Sequence, residues 1–148
     1  MSGVTKHIFE HELDDILSMW NTEIKSVTPL LPRKYTKADI IALLKYYYPH
    51  EWQSVESKYK YYRTKDKYLK RRFGKSRYNM SEPELLIQRV SAFKKIFSES
   101  YKCAHWNAYS ERSRVDSSVK LWEARKSKID RINSKIEIAL SKTQQVTP

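Results

Sequence analysis

The sequence predicts an all-α protein of about five helices: an N-terminal cluster with a helix-turn-helix-like pair over 36–73, then a long C-terminal helical hairpin or coiled-coil-like arm. Two observations carry that expectation. Gly3 and Gly74 are the only glycines, far below the ordinary usage of about 7%, which argues against turn-rich β folds, a Gly-rich phosphate loop and a Rossmann turn. Apolar residues also recur three and four apart along most of the chain, the spacing of one helix face. A chain of 148 residues can bury a core without disulfides or metal. The expected organisation is a helical nucleic-acid-binding region over 1–78, long helices forming an arm or oligomerisation region over 79–142, and a frayed polar tail at 143–148, or else one compact domain overall.

The first helix is expected from Thr5 to Val27, with Phe9, Leu13, Ile16, Leu17, Trp20, Ile24 and Val27 on one face and Asp14, Asp15 and Glu23 turned away. Pro29 and Pro32 break it, and Leu30 and Leu31 lay the connector over the core. Thr36 opens the second helix as N-cap, with Asp39 completing a capping box, and Pro49 ends it near Tyr48. From Glu51 to Phe73 the helical spacing resumes through Trp52, Val55, Tyr59, Tyr62, Leu69 and Phe73, interrupted once by Asp66. Those six should be buried, while Gln53, Ser57, Lys60, Tyr61, Thr64, Lys67, Tyr68 and Arg71 should face solvent.

Gly74 reads as a helix stop before a short basic loop. Ser81 and Glu84 form a second capping-box pattern. The fourth helix then follows Leu86, Val90, Phe93, Phe97, Tyr101, Ala104 and Ala108. A fifth, from about Val115, carries Val119, Trp122, Ile129, Ile132, Ile136 and Leu140. Two such stripes are expected to cover each other as an antiparallel pair, the alternative being one continuous helix, since 110–118 holds neither Gly nor Pro.

The charge is local. Residues 33–78 hold 14 Lys and Arg against 4 Asp and Glu, a net of +10, while 1–32 come to −3 and 79–148 to +5. Cations with interleaved aromatic rings suit a polyanion, since cations neutralise phosphates and rings stack on bases or sugars. In a helix-turn-helix docking, Gln53, Ser57, Lys60, Tyr61 and Thr64 would face base edges. Lys45, Lys58, Arg63, Lys67, Lys70, Arg71, Arg72, Lys75 and Arg77 would lie near phosphates. Tyr61 and Tyr68, one heptad apart on the basic face, are the candidates for stacking.

Other chemistries find little support. His7, Glu10 and His11 match the H-x-x-E-H pattern of inverted zinc peptidases, but at a terminus and without further ligands. Cys103 and His105 lack the second pair of a zinc site. Glu56 and Lys58 have no upstream acid on a paired strand, as nuclease chemistry requires. No metal, cofactor or catalytic residue is assigned, and an enzyme is not expected. A single cysteine, no secretory signal at the opening residues and no apolar run of ~20 residues point to an intracellular, non-membrane protein. The leading expectation is a small basic DNA-binding protein, a regulator or the DNA-binding accessory subunit of a larger complex, with a homodimer or a helical partner through 82–142. The alternatives are a protein-binding module or inhibitor of a nucleic-acid-processing complex, and an RNA-binding protein.

Overall fold

The computed structural model describes residues 2–146, and side chains over 6–143. Among them are α1 (Ser2–Val27), a 3-10 turn (Thr28–Leu30), α2 (Lys37–Tyr47), α3 (Pro49–Phe73), α4 (Pro83–Ile87), α5 (Ser91–Ile96), α6 (Glu99–Ala108) and α7 (Glu111–Val146), with no strand. The all-α class holds, with seven helices in place of five. The tail at 147–148 lies outside the described residues, and α7 runs helical through most of the stretch expected to fray.

α1 is the spine. Its stripe works as the spacing predicts: Trp20, Ile24 and Val27 have no exposed surface, and Ile16 very little. They share one core with Leu30, Leu31, Ile40, Leu44, Trp52 and Val55, and on the other side with Leu86, Ile87, Val90, Phe93 and Ile96. Trp20 and Trp52 meet with ring centroids 5.8 Å apart. At the N-terminal end of α1, Phe9 packs on Tyr62 and Tyr78 in a separate smaller cluster.

The capping box at α2 is made, with the Asp39 carboxylate accepting the Thr36 backbone N–H at 2.7 Å. Between α2 and α3 stands Tyr48 alone, and Pro49 takes the first-turn position where its missing N–H costs nothing. The two helices of the expected pair are therefore present, but not the 3–4-residue turn of a helix-turn-helix. The connector is tied down: the buried Tyr35 hydroxyl donates to the Ile96 carbonyl, and burial pushes that phenol up to about 12.

The expected fourth helix is three. Leu86, Val90 and Phe93 do point inward, but the backbone breaks at 88–90 and again at Phe97 and Ser98. The cause lies on α1, where the Asn21 side-chain oxygen accepts from Ser91 Oγ and Ala92 N, both at 3.0 Å, and caps α5 from outside. The Ser81 signal is likewise displaced, because α4 begins at Pro83 behind Glu82. The antiparallel pair is not formed either. α6 leans on the connector through His105, whose Nε2 is 3.0 Å from the Pro32 carbonyl, and α7 crosses the 3-10 turn and the end of α2.

Arg125 fixes α7. It is 7% exposed, grips both oxygens of Glu51 at 3.0 and 3.1 Å, donates Nε to the Tyr47 carbonyl at 3.1 Å, and covers the Tyr48 ring at 4.6 Å. Nη2 alone reaches both Glu51 oxygens while Nε serves Tyr47, and two donors held apart in one plane are available to Arg and not to Lys. Beside it, burial and then the nearby Glu51 raise the Glu23 carboxyl.

Two outcomes are expected. Arg125→Lys should lower stability by ~2 kcal/mol, since one ammonium cannot serve the Glu51 carboxylate and the Tyr47 carbonyl from the two separated positions of Nη2 and Nε; chemical denaturation with hydrogen exchange across 111–125 would measure it. Because the folded state holds the Glu23 proton more tightly than the unfolded chain does, stability from this group is gained as pH falls through its raised folded pKa and is absent at neutral pH. Glu23→Gln should therefore raise Tm at pH 7, and the gain should fade in thermal melts below the ordinary carboxyl range.

Candidate nucleic-acid interface

α3 spans about 37 Å at 1.5 Å per residue and outruns its core. Its first half is buried through Trp52 and Val55, and Tyr62 closes against Phe9 and Glu12, whose carboxylate accepts the Tyr62 hydroxyl at 2.6 Å. That acceptor and burial together raise the Tyr62 phenol well above its usual range, burial being the larger cause. Beyond Tyr62 only Asp66 and Leu69 of the inward stripe stay half-buried, and Phe73 is 66% exposed. The expectation of a buried Phe73 is therefore corrected: no element reaches it, and Arg72 lies 5.8 Å over its ring. Tyr59 and Leu69 are half-buried, not fully so.

Asp66, the interruption in the stripe, organises the tip. Its carboxylate accepts three successive backbone N–H groups, from Arg77 at 2.8 Å, Tyr78 at 2.9 Å and Asn79 at 2.7 Å. Gly74 makes the fold-back possible with φ +78, a left-handed conformation, and nothing within 4 Å of a hypothetical Cβ. Backbone handedness, not space, demands glycine there. Asn79 turns the loop again at φ +48, its side chain accepting from Ser76 Oγ at 2.6 Å. The loop cations Lys75 and Arg77 are thereby set beside the last turns of α3.

Every residue expected on the solvent face of α3 is exposed: Gln53, Ser57, Lys60, Tyr61, Thr64, Lys67, Tyr68 and Arg71. Arg63, Lys70, Arg72 and Lys75 are exposed too, while Lys58 and Arg77 are half-buried. The early turns differ from the late ones in their surroundings. Lys45 is paired with Glu84 at 3.4 Å and sits 4.9 Å over Trp52, and Lys60 borders a groove shared with Glu56, Glu82 and Glu84. Lys58 borders another with Asp15 and Glu51. At the tip, Arg63, Lys67, Lys70, Arg71, Arg72, Lys75 and Arg77 make no side-chain ion pair among the described residues, and the Asp66 carboxylate there is taken up by backbone N–H groups. Lys65, absent from the sequence-based candidates, belongs there as well. It stands 4.6 Å over the Tyr61 ring, and its hydrogen bond with Tyr61 is the main cause of its raised pKa. Only its i+4 spacing from Tyr61 signalled that contact.

Elsewhere, His11 meets Asp15 at 3.8 Å, and no group of three metal-ligating side chains gathers among the described residues. No helix among them is long and apolar enough to cross a membrane.

Asp66→Ala should strip three backbone donors of their acceptor and cost ~2 kcal/mol. The amides of 77–79 should then exchange faster while those of α1 keep their protection; unchanged exchange in the loop would refute the anchoring role.

No family model matches this chain, and no solved structure does. Among curated proteins, it is 26% identical over 148 residues to "Putative cyclic ADP-D-ribose synthase TIR2" of Cytobacillus dafuensis, a match covering 100% of this chain and 39% of that protein. The chain thus spans about two fifths of its relative's length. This finding overturns the expectation of a non-enzyme, which was drawn from the lack of a catalytic cluster. The chain aligns end to end with part of a protein named as a synthase, and three fifths of that protein lie outside the match.

Proposed function

We propose that this chain is a nucleic-acid-docking helical module that works with, or as a region of, an enzyme of the cyclic ADP-ribose synthase kind, and that its α3 tip seats on duplex DNA. The observation that carries the docking reading is the composition of the tip: Arg63, Lys67, Lys70, Arg71, Arg72 and Lys75 are exposed around a rod that projects past the core, and its one carboxylate, Asp66, is turned inward onto backbone donors. Tyr61 and Tyr68, 55% and 58% exposed, add two flat faces on the same side. A rod about one helix wide fits the major groove, and flanking cations reach phosphates on either wall. The carboxylates beside Lys45, Lys58 and Lys60 move the contact away from the early turns, where a helix-turn-helix would read bases. Affinity in this reading is dominated by phosphates and carries modest sequence preference. The enzymatic association is supported by the end-to-end alignment with the synthase.

Binding of a ~20-bp duplex, followed by fluorescence anisotropy between 50 and 200 mM salt, tests the docking. If about six phosphates are neutralised, affinity should fall ~10³-fold over that range. Lys67→Glu with Arg71→Glu should abolish binding with Tm unchanged, while Gln53→Ala with Ser57→Ala should alter it less than threefold. Salt-independent affinity would sink the proposal, and stronger binding to structured RNA would move it to the RNA-binding alternative.

A further inference from the structure

Most of the exposed apolar residues of α7 fall into a seven-residue repeat. Val115, Trp122, Ile129 and Ile136 hold one position of it, and Val119, Lys126, Asn133 and Leu140 the other. The six apolar ones are 38–58% exposed, and alternating steps of four and three carry their seam about 37 Å along the helix. At 100° per residue this seam lies about a quarter turn from the face on which Arg114, Ser118, Leu121 and Arg125 press the body. The body therefore flanks the seam without covering it. Between the two runs a groove of three adjoining hollows, of about 260, 310 and 150 Å³. Leu43, Tyr46 and Tyr47 of α2 stand on one side of it, and Val119, Trp122 and Ile129 on the other.

Two polar residues within the seam decide what covers it. An apolar helix laid there would bury the Asn133 amide without a partner. A second copy of this chain, parallel and in register, sets Asn133 against Asn133, and each amide then offers the other both a donor and an acceptor. Lys126, one heptad earlier, meets its own counterpart. Glu123 and Asp130, three residues before and four after it on one edge of the seam, bring carboxylates to both sides of those ammonium groups. The edges choose the direction. Glu123, Asp130 and Glu137 line one edge, while Ile132 and Ala139 continue the edge that carries the body. In an antiparallel pair the acidic edges face each other, which is unfavourable. In a parallel pair each acidic edge meets the body-bearing edge of its counterpart, and Asp130 of the second copy comes beside the hollow bordered by His50 and Lys126. A body along one edge of each α7 leaves room for one further helix, not for two.

We infer that α7 is a parallel, in-register dimerisation helix whose partner along the 115–140 seam is a second copy of this chain. The inference goes beyond the proposed function and rests on neither DNA docking nor the synthase, so its test uses nuclease-treated protein free of nucleic acid. Sedimentation equilibrium of the whole chain between ~1 and ~200 µM should show a mass rising from monomer to dimer. A monomer throughout would overturn the inference, and so would a mass beyond the dimer. Ile129→Glu with Ile136→Glu should leave a monomer whose α1 amides keep their protection from exchange; a dimer surviving that change would place the contact elsewhere and overturn the assignment. Direction is read by cross-linking in a Cys103→Ser chain carrying Trp122→Cys or Ile136→Cys. Under oxidised glutathione each variant should form a covalent dimer, since parallel register sets every seam position against itself, while Lys135→Cys on the outer side should not. Linking at only one of the two seam positions would mean an antiparallel pair and overturn the parallel arrangement. Asn133→Asp should weaken the dimer by roughly tenfold or more by facing two carboxylates, and an unchanged dissociation constant would overturn the in-register pairing.

Discussion

One helix face has to serve two neighbours. The stripe of α1 from Ile16 to Val27 is covered by α2 and the start of α3 on one side and by α4 and α5 on the other. Trp20, with no exposed surface, stands where those layers meet. A fully buried Trp or Ile contributes on the order of 2–3 kcal/mol relative to exposure, so the spine is what makes the short helices affordable. α4 and α5, with five and six residues, are below the length at which a helix persists alone in water. They hold their shape because Leu86, Ile87, Phe93 and Ile96 are pressed onto α1, and because Asn21 of that helix caps α5.

The same constraint accounts for the exposure of the basic tip. α1 covers α3 as far as Tyr62, which is buried against Phe9 and Tyr78, and beyond it only Asp66 and Leu69 of the inward stripe stay half-buried. A rod leaving its core carries whatever faces it has into solvent, and here those faces are Lys, Arg and Tyr. The one acid on this stretch is spent on the loop. Had Asp66 faced outward, it would have cancelled part of the positive field around the tip. Held instead by three N–H groups, it stiffens the tip and leaves the surrounding charge unopposed.

How much was legible in the sequence depended on the range of the interaction involved. Local signals read true: the Thr36 and Asp39 box, the Gly74 stop, the α1 stripe, and the eight exposed positions on α3. Signals completed by a distant partner did not. Leu86, Val90, Phe93 and Phe97 keep helical spacing through two breaks in the backbone, because spacing records which side faces inward and not whether the chain is continuous; the cap that sets one break is 70 residues away in Asn21. Lys45 looked like any other cation until Glu84, 39 residues on, took it up. Arg125 lay in a run with Lys120, Lys126 and Lys128, and nothing in that run distinguishes the buried fork from its solvated neighbours. The expectation of a non-enzyme failed for a related reason: a search for catalytic clusters within one chain does not register a diffuse likeness to part of a protein named as a synthase.

The Arg125–Glu51 pair brings the two projecting elements to one junction. Glu51 lies in the first turn of α3, and Arg125 is the last buried side chain among the described residues of α7. From that tie α3 runs out to its basic tip and α7 to its aliphatic stripe. The two free ends differ in the chemistry they can meet. Around 63–77, cations dominate, and attraction there is long-ranged and weakened by salt. Around 129–140, Ile and Leu lie between mixed charges of low net sign, where attraction is short-ranged and needs a dry, matching surface. A polyanion gains little from the second, and an apolar helix gains little from the first. The two ends are therefore suited to different partners, and the clamp that fixes α7 to α3 also fixes how those partners would be disposed around one small body.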